Sequence, residues 1–293
     1  MNVTIIGAGS IGLLAAAKLA LNGHEISVVC RRKHQADEIK KGIIYINRNK
    51  SQRIDVRVSD HLSPEHTDLL IVAVKSNHIP SVVAMIKNVY QGSKLPDLLF
   101  IQNGMGHLSS IDLLAHNVLV GVVEHGARKI NESTVEHTGS GVVRISTYAG
   151  VPNRVTALSS EDFPIFYEND WYAMLAKKLV INCAINPLSS IYHVLNGELL
   201  HNARFYSLMR EIVKETCGVL QLEFERSWND VQLVCRRTSA NTSSMLADVT
   251  AGRVTEIDAI TGYILKEAEA CGKHVPFSRF VYDSVKGLEM VTR

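Results

Sequence analysis

A glycine-rich loop near the N-terminus constrains the fold of this 293-residue chain more than any other feature. The run Gly7-Ala8-Gly9-Ser10-Ile11-Gly12 follows an apolar segment at 3–6 and opens a helical pattern at 11–21. In that context the first glycine permits a tight turn, the second lets the backbone approach a pyrophosphate, and the third lets the helix pack on the strand. The N-terminus of the helix then offers N–H groups to the phosphates. The loop predicts a dinucleotide-binding site, and the alternative is a tight turn that binds nothing.

Short apolar runs and helical patterns alternate through the first half of the chain. Besides 3–6, strands are predicted at 26–29, 69–74, 98–101 and 118–123, with an added hairpin from about 136 to 147. Strands separated by helices favour a doubly wound parallel sheet of the Rossmann type. We therefore expect an α/β domain over residues 1–167.

The second half of the chain changes to long helical patterns from about residue 170. Helices are predicted at 171–196, 203–224, 228–249 and 253–271, with stops at Gly218, Gly272 and Pro276. Pro187 lies inside the first of these helices and should kink it. We expect an all-helical domain over residues 168–293, with no strand after residue 168.

Composition excludes several classes of protein. Hydrophobic residues make up 46% and the net charge is +2, so the chain is globular in type without a basic face for nucleic acid. No apolar run reaches the roughly 18 residues that span a bilayer. Five scattered cysteines without a C-x-x-C pair favour a reducing cytoplasm over a disulfide framework. The histidines show no metal-ligand spacing, so no metal site is expected.

A basic run, Arg31-Arg32-Lys33, follows the second predicted strand, where NAD-preferring domains usually carry a carboxylate. A guanidinium can bind a 2′-phosphate through paired charge-assisted hydrogen bonds. The run therefore favours NADP over NAD, with Arg31 as the first candidate and Arg32 as a second. A solvated basic turn is the alternative.

Polar residues follow two other predicted strands. Lys75 comes directly after 69–74, and Gln102-Asn103-Gly104-Met105-Gly106 comes directly after 98–101. Because the carboxyl ends of parallel strands face the binding crevice, we expect Lys75 and Asn103 to line one cleft. An ordinary surface lysine is the alternative for Lys75.

Three polar residues, Lys178, Asn182 and Asn186, are spaced by four in an otherwise apolar helical segment. They share one helix face, so they must be hydrogen-bonded or line a cavity. A lysine emerging from an apolar helix can have a lowered pKa and act as a proton donor. A structural polar seam between helices is the alternative.

A second polar stretch runs from 241 to 258 and contains Ser244 and Glu256. Serine and acidic residues are also typical of helix N-termini, so capping is the alternative for both residues.

Six segments together resemble the ketopantoate reductase family over nearly the whole chain. They are GAGSIG at 7–12, VK at 74–75, QNGMG at 102–106, KLVINCAINPL at 178–188, NGEL at 196–199 and SSMLADVTAGRVTEID at 243–258. The resemblance implies a helical domain related to that of 6-phosphogluconate dehydrogenase. It also implies NADPH-dependent reduction of 2-dehydropantoate to (R)-pantoate, a step of pantothenate and coenzyme A biosynthesis.

The resemblance also assigns roles to individual residues. Lys178 matches the catalytic lysine, which donates a proton to the C2 carbonyl oxygen, and Glu256 matches an acidic residue where cofactor and substrate meet. The implied substrate contacts are Asn103, Asn182, Asn186, Asn196 and Ser244. The implied cofactor contacts, beyond the loop of Gly7, Ala8, Gly9, Ser10, Ile11 and Gly12, are Lys75, Asn103, Ala127 and Glu256. Thr261 departs from the family, whose members often carry asparagine there.

The expected ligands are therefore NADPH (or NADP) and a small 2-oxo acid, in the cytoplasm, with neither nucleic acid nor membrane as partner. A homodimer and a monomer are both open. Two other functions also remain open: reduction of a different 2-oxo acid or an imine by the same fold, and NADP sensing without catalysis.

Overall fold

The computed structural model describes residues 1–64, 67–112, 114, 116–152 and 155–291. The chain divides into two compact units. The first contains residues 1–102 and 108–174, and the second contains residues 103–107 and 175–293. The short segment 103–107 therefore belongs with the helical unit, although it follows a strand of the sheet.

Strands are confined to the first unit in the described part of the chain. They are β1 (Asn2–Ile6), β2 (Glu25–Val29), β3 (Ile43–Asn47), β4 (Lys50–Ile54), β5 (Arg57–Ser59), β6 (Leu69–Val72), β7 (Asp97–Phe100), β8 (Val118–Val123), β9 (Gly126–Lys129), β10 (Thr134–Gly139), β11 (Val143–Ala149) and β12 (Ile165–Tyr167). The α-helices of the described residues are α1 (Ser10–Leu21), α2 (Lys33–Ile39), α3 (Ile79–Val89), α4 (Leu108–Ile111), α5 (Trp171–Tyr192), α6 (Glu198–His201), α7 (Ala203–Leu220), α8 (Phe224–Arg237), α9 (Ser244–Thr250), α10 (Thr261–Ala270) and α11 (Pro276–Val291).

An eight-stranded sheet forms the centre of the first unit, in the order β12-β11-β8-β7-β6-β1-β2-β5. The six strands from β8 to β5 are parallel, and β11 runs antiparallel to β8. All four residues of β6 are buried, as expected for a strand covered on both faces. Ile6 pairs with both Val29 and Val72, so β1, β2 and β6 end at the same edge. The predicted doubly wound α/β fold followed by a helical unit is confirmed.

A smaller sheet, in the order β4-β3-β10-β9, packs against α1. The hairpin predicted at 136–147 is wrong, because β10 pairs with β3 and β9 whereas β11 pairs with β8 and β12. Local alternation indicates two strands here, but it does not show that each strand belongs to a different sheet. The β3–β4 hairpin was not predicted, although Arg48 and Asn49 have the positive φ angles of a tight hairpin turn.

The helical unit differs from its predicted boundaries in several places, and Gly218 lies inside α7 instead of ending a helix. The predicted helix 228–249 is two helices, α8 and α9, which a turn over 238–243 separates. The predicted helix 253–271 is helical only from Thr261 to Ala270. Pro276 opens α11 instead of stopping a helix, because a proline in the first turn lacks an N–H that would have no helical partner. No described residue after Tyr167 is in a strand, as predicted.

The helix α5 continues through Pro187 to Tyr192. Three residues with predicted functions, Lys178, Asn182 and Asn186, therefore lie on one continuous element. The bend at Pro187 stays a prediction.

Candidate active site

Two glycines of the β1–α1 loop are required by close packing. Gly7 has a φ of +110°, and a Cβ there would lie 2.9 Å from the backbone of Ala73 and Val74. A Cβ on Gly12 would lie 1.9 Å from the carbonyl oxygen of Gly7. The loop therefore admits a side chain at neither position without moving the backbone.

Gly9 has a different environment. Its φ is −78°, and a Cβ there would meet no described heavy atom within 4 Å. Among the described residues, none caps the N-terminus of α1 through a side chain, and its first turn contains no acidic residue. Backbone N–H groups with a partial positive charge thus border open space, an arrangement that fits the diphosphate of a dinucleotide.

Gln35, which the sequence analysis missed, connects this loop to α2. Its side chain is 5% exposed, and its Nε2 donates to the carbonyl oxygen of Ala8 over 2.8 Å and to that of Glu132 over 3.1 Å. A buried amide inside a helical segment gives no sequence signal of such a contact.

The two candidate arginines, Arg31 and Arg32, have different surroundings in the structure. The Arg32 guanidinium lies 2.6 Å from a Glu132 carboxylate oxygen and 3.2 Å from Oε1 of Gln35. Arg31 is exposed and makes no hydrogen bond or ion pair with any residue that the structure describes. Of the two guanidinium groups, that of Arg32 therefore has described protein partners and that of Arg31 has none among the described residues.

Lys75 and Ala127 also lie in the first unit. Lys75 is half-buried and follows Val74, whose backbone packs against Gly7. Ala127 is half-buried in β9, opposite His137 of β10, and its strand packs against α1. The structure thus places Lys75 next to the glycine loop and places Ala127 in the small sheet.

Asn103 and Glu256 lie together in the helical unit. The Asn103 Nδ2 donates to Glu256 Oε2 over 2.8 Å. The backbone nitrogens of Met105 and Gly106 both donate to the carbonyl oxygen of Ala259. A Cβ at Gly104 would lie 2.1 Å from that same oxygen, which explains the glycine at this position. Glu256 precedes α10 by several residues, so helix capping does not account for it.

The polar face of α5 contains two buried amides and a half-buried lysine. Asn182 and Asn186 are 9% and 8% exposed, and Lys178 lies one turn before Asn182. The Nδ2 of Asn182 is buried and has no hydrogen-bond partner among the described residues. Buried donors are nearly always satisfied, so an amide in this position is suited to donate a hydrogen bond to a ligand.

Asn196 presents a second unsatisfied amide. Its Nδ2 donates to Thr238 Oγ1 over 3.0 Å, whereas its Oδ1 is buried without a partner among the described residues.

Ser243, not Ser244, is the N-cap of α9, because Ser243 Oγ accepts from the Leu246 backbone nitrogen over 3.1 Å. Ser244 is exposed and follows this N-cap as the first residue of α9.

Three further properties of the described residues bear on the chemistry. They contain no cluster of histidine, cysteine, aspartate or glutamate that could hold a metal ion. All five cysteines are free thiols. None of the described helices combines the length and the apolar character needed to cross a membrane.

The parallel sheet, the glycine loop at its carboxyl edge and the helical unit that follows are those of an oxidoreductase with a Rossmann-type domain. Residues 3–150 match the profile of ketopantoate reductase PanE/ApbA, and residues 170–289 match that of its C-terminal domain. The chain belongs to the ketopantoate reductase family.

Proteins of known name are similar in sequence to this chain over nearly its full length. It is 40% identical to the 2-dehydropantoate 2-reductase of Bacillus subtilis, covering 100% of this chain and 99% of that protein. The corresponding enzyme of Listeria monocytogenes is 35% identical, covering 99% of this chain and 97% of the relative.

Two solved structures have the same fold. The probable 2-dehydropantoate 2-reductase of Bacillus subtilis superimposes with a TM-score of 0.89, covering 99% of this chain and 100% of that one. A D-mandelate dehydrogenase with NADH and anilino(oxo)acetate superimposes with a TM-score of 0.92, over 100% of this chain and 99% of its own. Its identity is 21%, so this second likeness concerns the fold alone.

Proposed function

We propose that the protein catalyses the NADPH-dependent reduction of 2-dehydropantoate to (R)-pantoate, a step of pantothenate and coenzyme A biosynthesis. The observation that carries the proposal is the polar face of α5. The chain belongs to the ketopantoate reductase family, and this face of its helix places Lys178 one turn before Asn182. The buried Nδ2 of Asn182 has no hydrogen-bond partner among the described residues. A lysine and a free amide donor are the groups that a 2-oxo acid needs for protonation and orientation.

The first unit supplies the proposed cofactor contacts. The N-terminus of α1 would bind the diphosphate, with Gly9 allowing its close approach. Arg31 would bind the 2′-phosphate, which distinguishes NADPH from NADH. Lys75 and Ala127 are proposed as further contacts. The bound nicotinamide would supply the hydride that reduces C2.

Lys178 is the proposed general acid. Negative charge develops on the C2 carbonyl oxygen during reduction, and an ammonium group both stabilises that charge and donates the proton. Glu256 is proposed to orient the reacting groups, together with Asn103, which is bonded to it. Asn182, Asn186, Asn196 and Ser244 are the proposed contacts to the rest of the substrate, and they fix its position.

The experiment that tests the proposal is oxidation of NADPH by the purified protein with 2-dehydropantoate, alongside NADH and a panel of other 2-oxo acids. We expect the highest kcat/KM for NADPH with 2-dehydropantoate. Faster turnover of an aryl 2-oxo acid would assign a different substrate. Tight NADPH binding without turnover of any 2-oxo acid would indicate a sensor.

The reducing cytoplasm is the proposed location, since a reducing compartment suits a chain in which all five cysteines are free. A homodimer is proposed as well, because a ketopantoate reductase of the same fold from Staphylococcus aureus is dimeric. Light scattering during gel filtration tests the dimer, and a monomer mass at all concentrations would contradict it.

A further inference from the structure

We propose that Ser189 and Ser243 are positioning residues, which hold Ser244 in register with the polar face of α5. The inference rests on the proposed function, in which Ser244 and Asn186 both contact the 2-oxo acid. Neither Ser189 nor Ser243 needs to touch the substrate for this role.

A direct contact joins the two serines. Ser189 Oγ lies 2.7 Å from Ser243 Oγ, although 54 residues separate them in the sequence. Ser189 is fully buried in α5, and Ser243 is 5% exposed. Ser189 Oγ also lies 3.1 Å from the carbonyl oxygen of Asn186. The contact thus connects the backbone at Asn186, a proposed substrate contact, to Ser243, which directly precedes the proposed substrate contact Ser244.

The position of Ser244 depends on this contact. Ser243 Oγ accepts the Leu246 backbone N–H and so fixes the first turn of α9, where Ser244 is the first residue. A hydroxyl that is bonded both to its own helix and to α5 sets the location of that turn relative to α5. Ser244 itself is exposed and free of the capping role.

A second set of bonds fastens the turn that precedes Ser243. The backbone nitrogens of Asn196 and Gly197 donate to the carbonyl oxygens of Asn241 and Ser239, both over 3.1 Å. The Asn196 side chain also donates to Thr238. The segment that contains Asn196 and the start of α9 are therefore bonded to the same turn.

Stability alone does not explain the serine pair. Burying two hydroxyls costs free energy, and a matched pair of apolar groups in their place is often neutral. Ser190 provides an internal comparison. It is also fully buried, and its Oγ donates to the same Asn186 carbonyl over 2.7 Å, which is an ordinary back-bond within a helix. Only Ser189 adds the bond to α9.

The test compares Ser189→Ala with its matched control Ser190→Ala in the full-length protein. Steady-state kinetics give kcat and the KM values, and urea unfolding checks that each variant folds. For Ser189→Ala we expect the KM for 2-dehydropantoate to rise about fivefold to tenfold, as for a lost hydrogen bond, with kcat and the KM for NADPH within about twofold. Ser190→Ala should leave all three constants within about twofold.

A double-mutant cycle with Ser244→Ala shows whether Ser189 acts through Ser244. In the Ser244→Ala background, Ser189→Ala should raise the KM for 2-dehydropantoate by less than about twofold. Ser243→Gly gives an independent variant, because glycine keeps most of the N-cap preference while the hydroxyl is lost. It should reproduce the KM effect of Ser189→Ala.

Three outcomes would overturn the inference. Equal effects of Ser189→Ala and Ser190→Ala, or an undiminished effect in the Ser244→Ala background, would do so while the proposed function stands. No turnover of 2-dehydropantoate by the unmodified protein would overturn the proposed function and the inference with it.

Discussion

Asn103 Nδ2 donates a hydrogen bond to Glu256 Oε2 over 2.8 Å, although 153 residues separate them in the sequence. This bond sets the orientation of the Asn103 amide, because Nδ2 faces the carboxylate and Oδ1 faces away from it. Both residues belong to the helical unit, and the segment that follows Asn103 is bonded to Ala259. Hydrogen bonds between segments 103–106 and 256–259 therefore hold the two residues that are proposed to lie where cofactor and substrate meet.

Asn103→Ala removes a donor from the Glu256 carboxylate. Hydrogen bonds to charged groups contribute more than neutral ones, so we expect kcat/KM for 2-dehydropantoate to fall about 10- to 100-fold. Asn103→Asp should be worse at neutral pH, because two carboxylates would face each other. Its kcat/KM should recover in part as the pH is lowered and one carboxyl is protonated. Identical pH profiles for the two variants would show that Glu256 does not face residue 103 during turnover.

Lys178→Ala should lower kcat by about 10²- to 10⁴-fold, the usual contribution of a general acid, with little change in the Kd for NADPH. Lys178→Arg keeps the positive charge but cannot give up a proton at working pH, so it should remain slow. The matched control is Lys177→Ala, which removes an exposed lysine paired with Asp230 over 3.0 Å. An unchanged kcat in Lys178→Ala, or a large loss in the control, would exclude Lys178 as the acid.

The sheet could be predicted from the sequence where both faces of a strand are buried. The apolar runs of β6 and β8 are almost continuous, so burial is evident in the residues themselves. The strand β4 could not be found in this way, since four of its five residues are exposed. It is a strand because it pairs with β3. The hairpin at 136–147 is wrong for another reason, because local alternation does not show that β10 and β11 belong to different sheets.

The residues of the candidate site could be proposed from the sequence, whereas the contacts between them could not. The resemblance named Asn103 and Glu256, yet only the structure shows that they bond to each other. Ser189 and Gln35 gave no signal, because a serine or a glutamine inside a helical pattern has many ordinary roles. Long-range hydrogen bonds depend on how elements pack, which one sequence does not reveal.

Arg31→Ala should weaken the binding of NADPH much more than the binding of NADH. A guanidinium that binds a 2′-phosphate forms charge-assisted bonds, so we expect the KM for NADPH to rise about 10- to 100-fold. The KM for NADH should stay within about twofold, because NADH lacks the phosphate. Arg32→Ala is the matched control, since its guanidinium is bonded to Glu132. A larger loss in Arg32→Ala than in Arg31→Ala would transfer the contact to Arg32.

Gly9→Ala and Gly12→Ala should separate cofactor binding from folding. At Gly9 a methyl group enters open space, so the free energy of unfolding should change by no more than about 1 kcal/mol. The Kd for NADPH should nevertheless rise by at least about tenfold, because the methyl group occupies the space for the diphosphate. Gly12→Ala should instead cost about 2 kcal/mol or more, since its Cβ would collide with the Gly7 oxygen. Isothermal titration and urea unfolding measure the two quantities. Unaltered NADPH affinity in a folded Gly9→Ala variant would place the diphosphate elsewhere.

Buried histidines should make the protein less stable in mild acid. Burial lowers the pKa of His107 to about 4, and burial with the nearby His137 and Lys18 lowers the pKa of His125 to about 4. An unfolded histidine titrates near 6.5, so between about pH 6.5 and about pH 4 the unfolded chain binds more protons than the folded one. Stability therefore falls as the pH falls through this window. For His107 the loss is about 2 kcal/mol at about pH 5.

His107→Phe tests this pH dependence, because it removes one of the two imidazoles. Urea unfolding of the unmodified protein should show a large drop in stability between about pH 7.5 and about pH 5. The drop should be smaller in His107→Phe by about 2 kcal/mol. The control is His34→Phe, at an exposed position where the imidazole is solvated in both states. If His107→Phe and His34→Phe lose the same stability on acidification, protonation of His107 does not contribute to the loss.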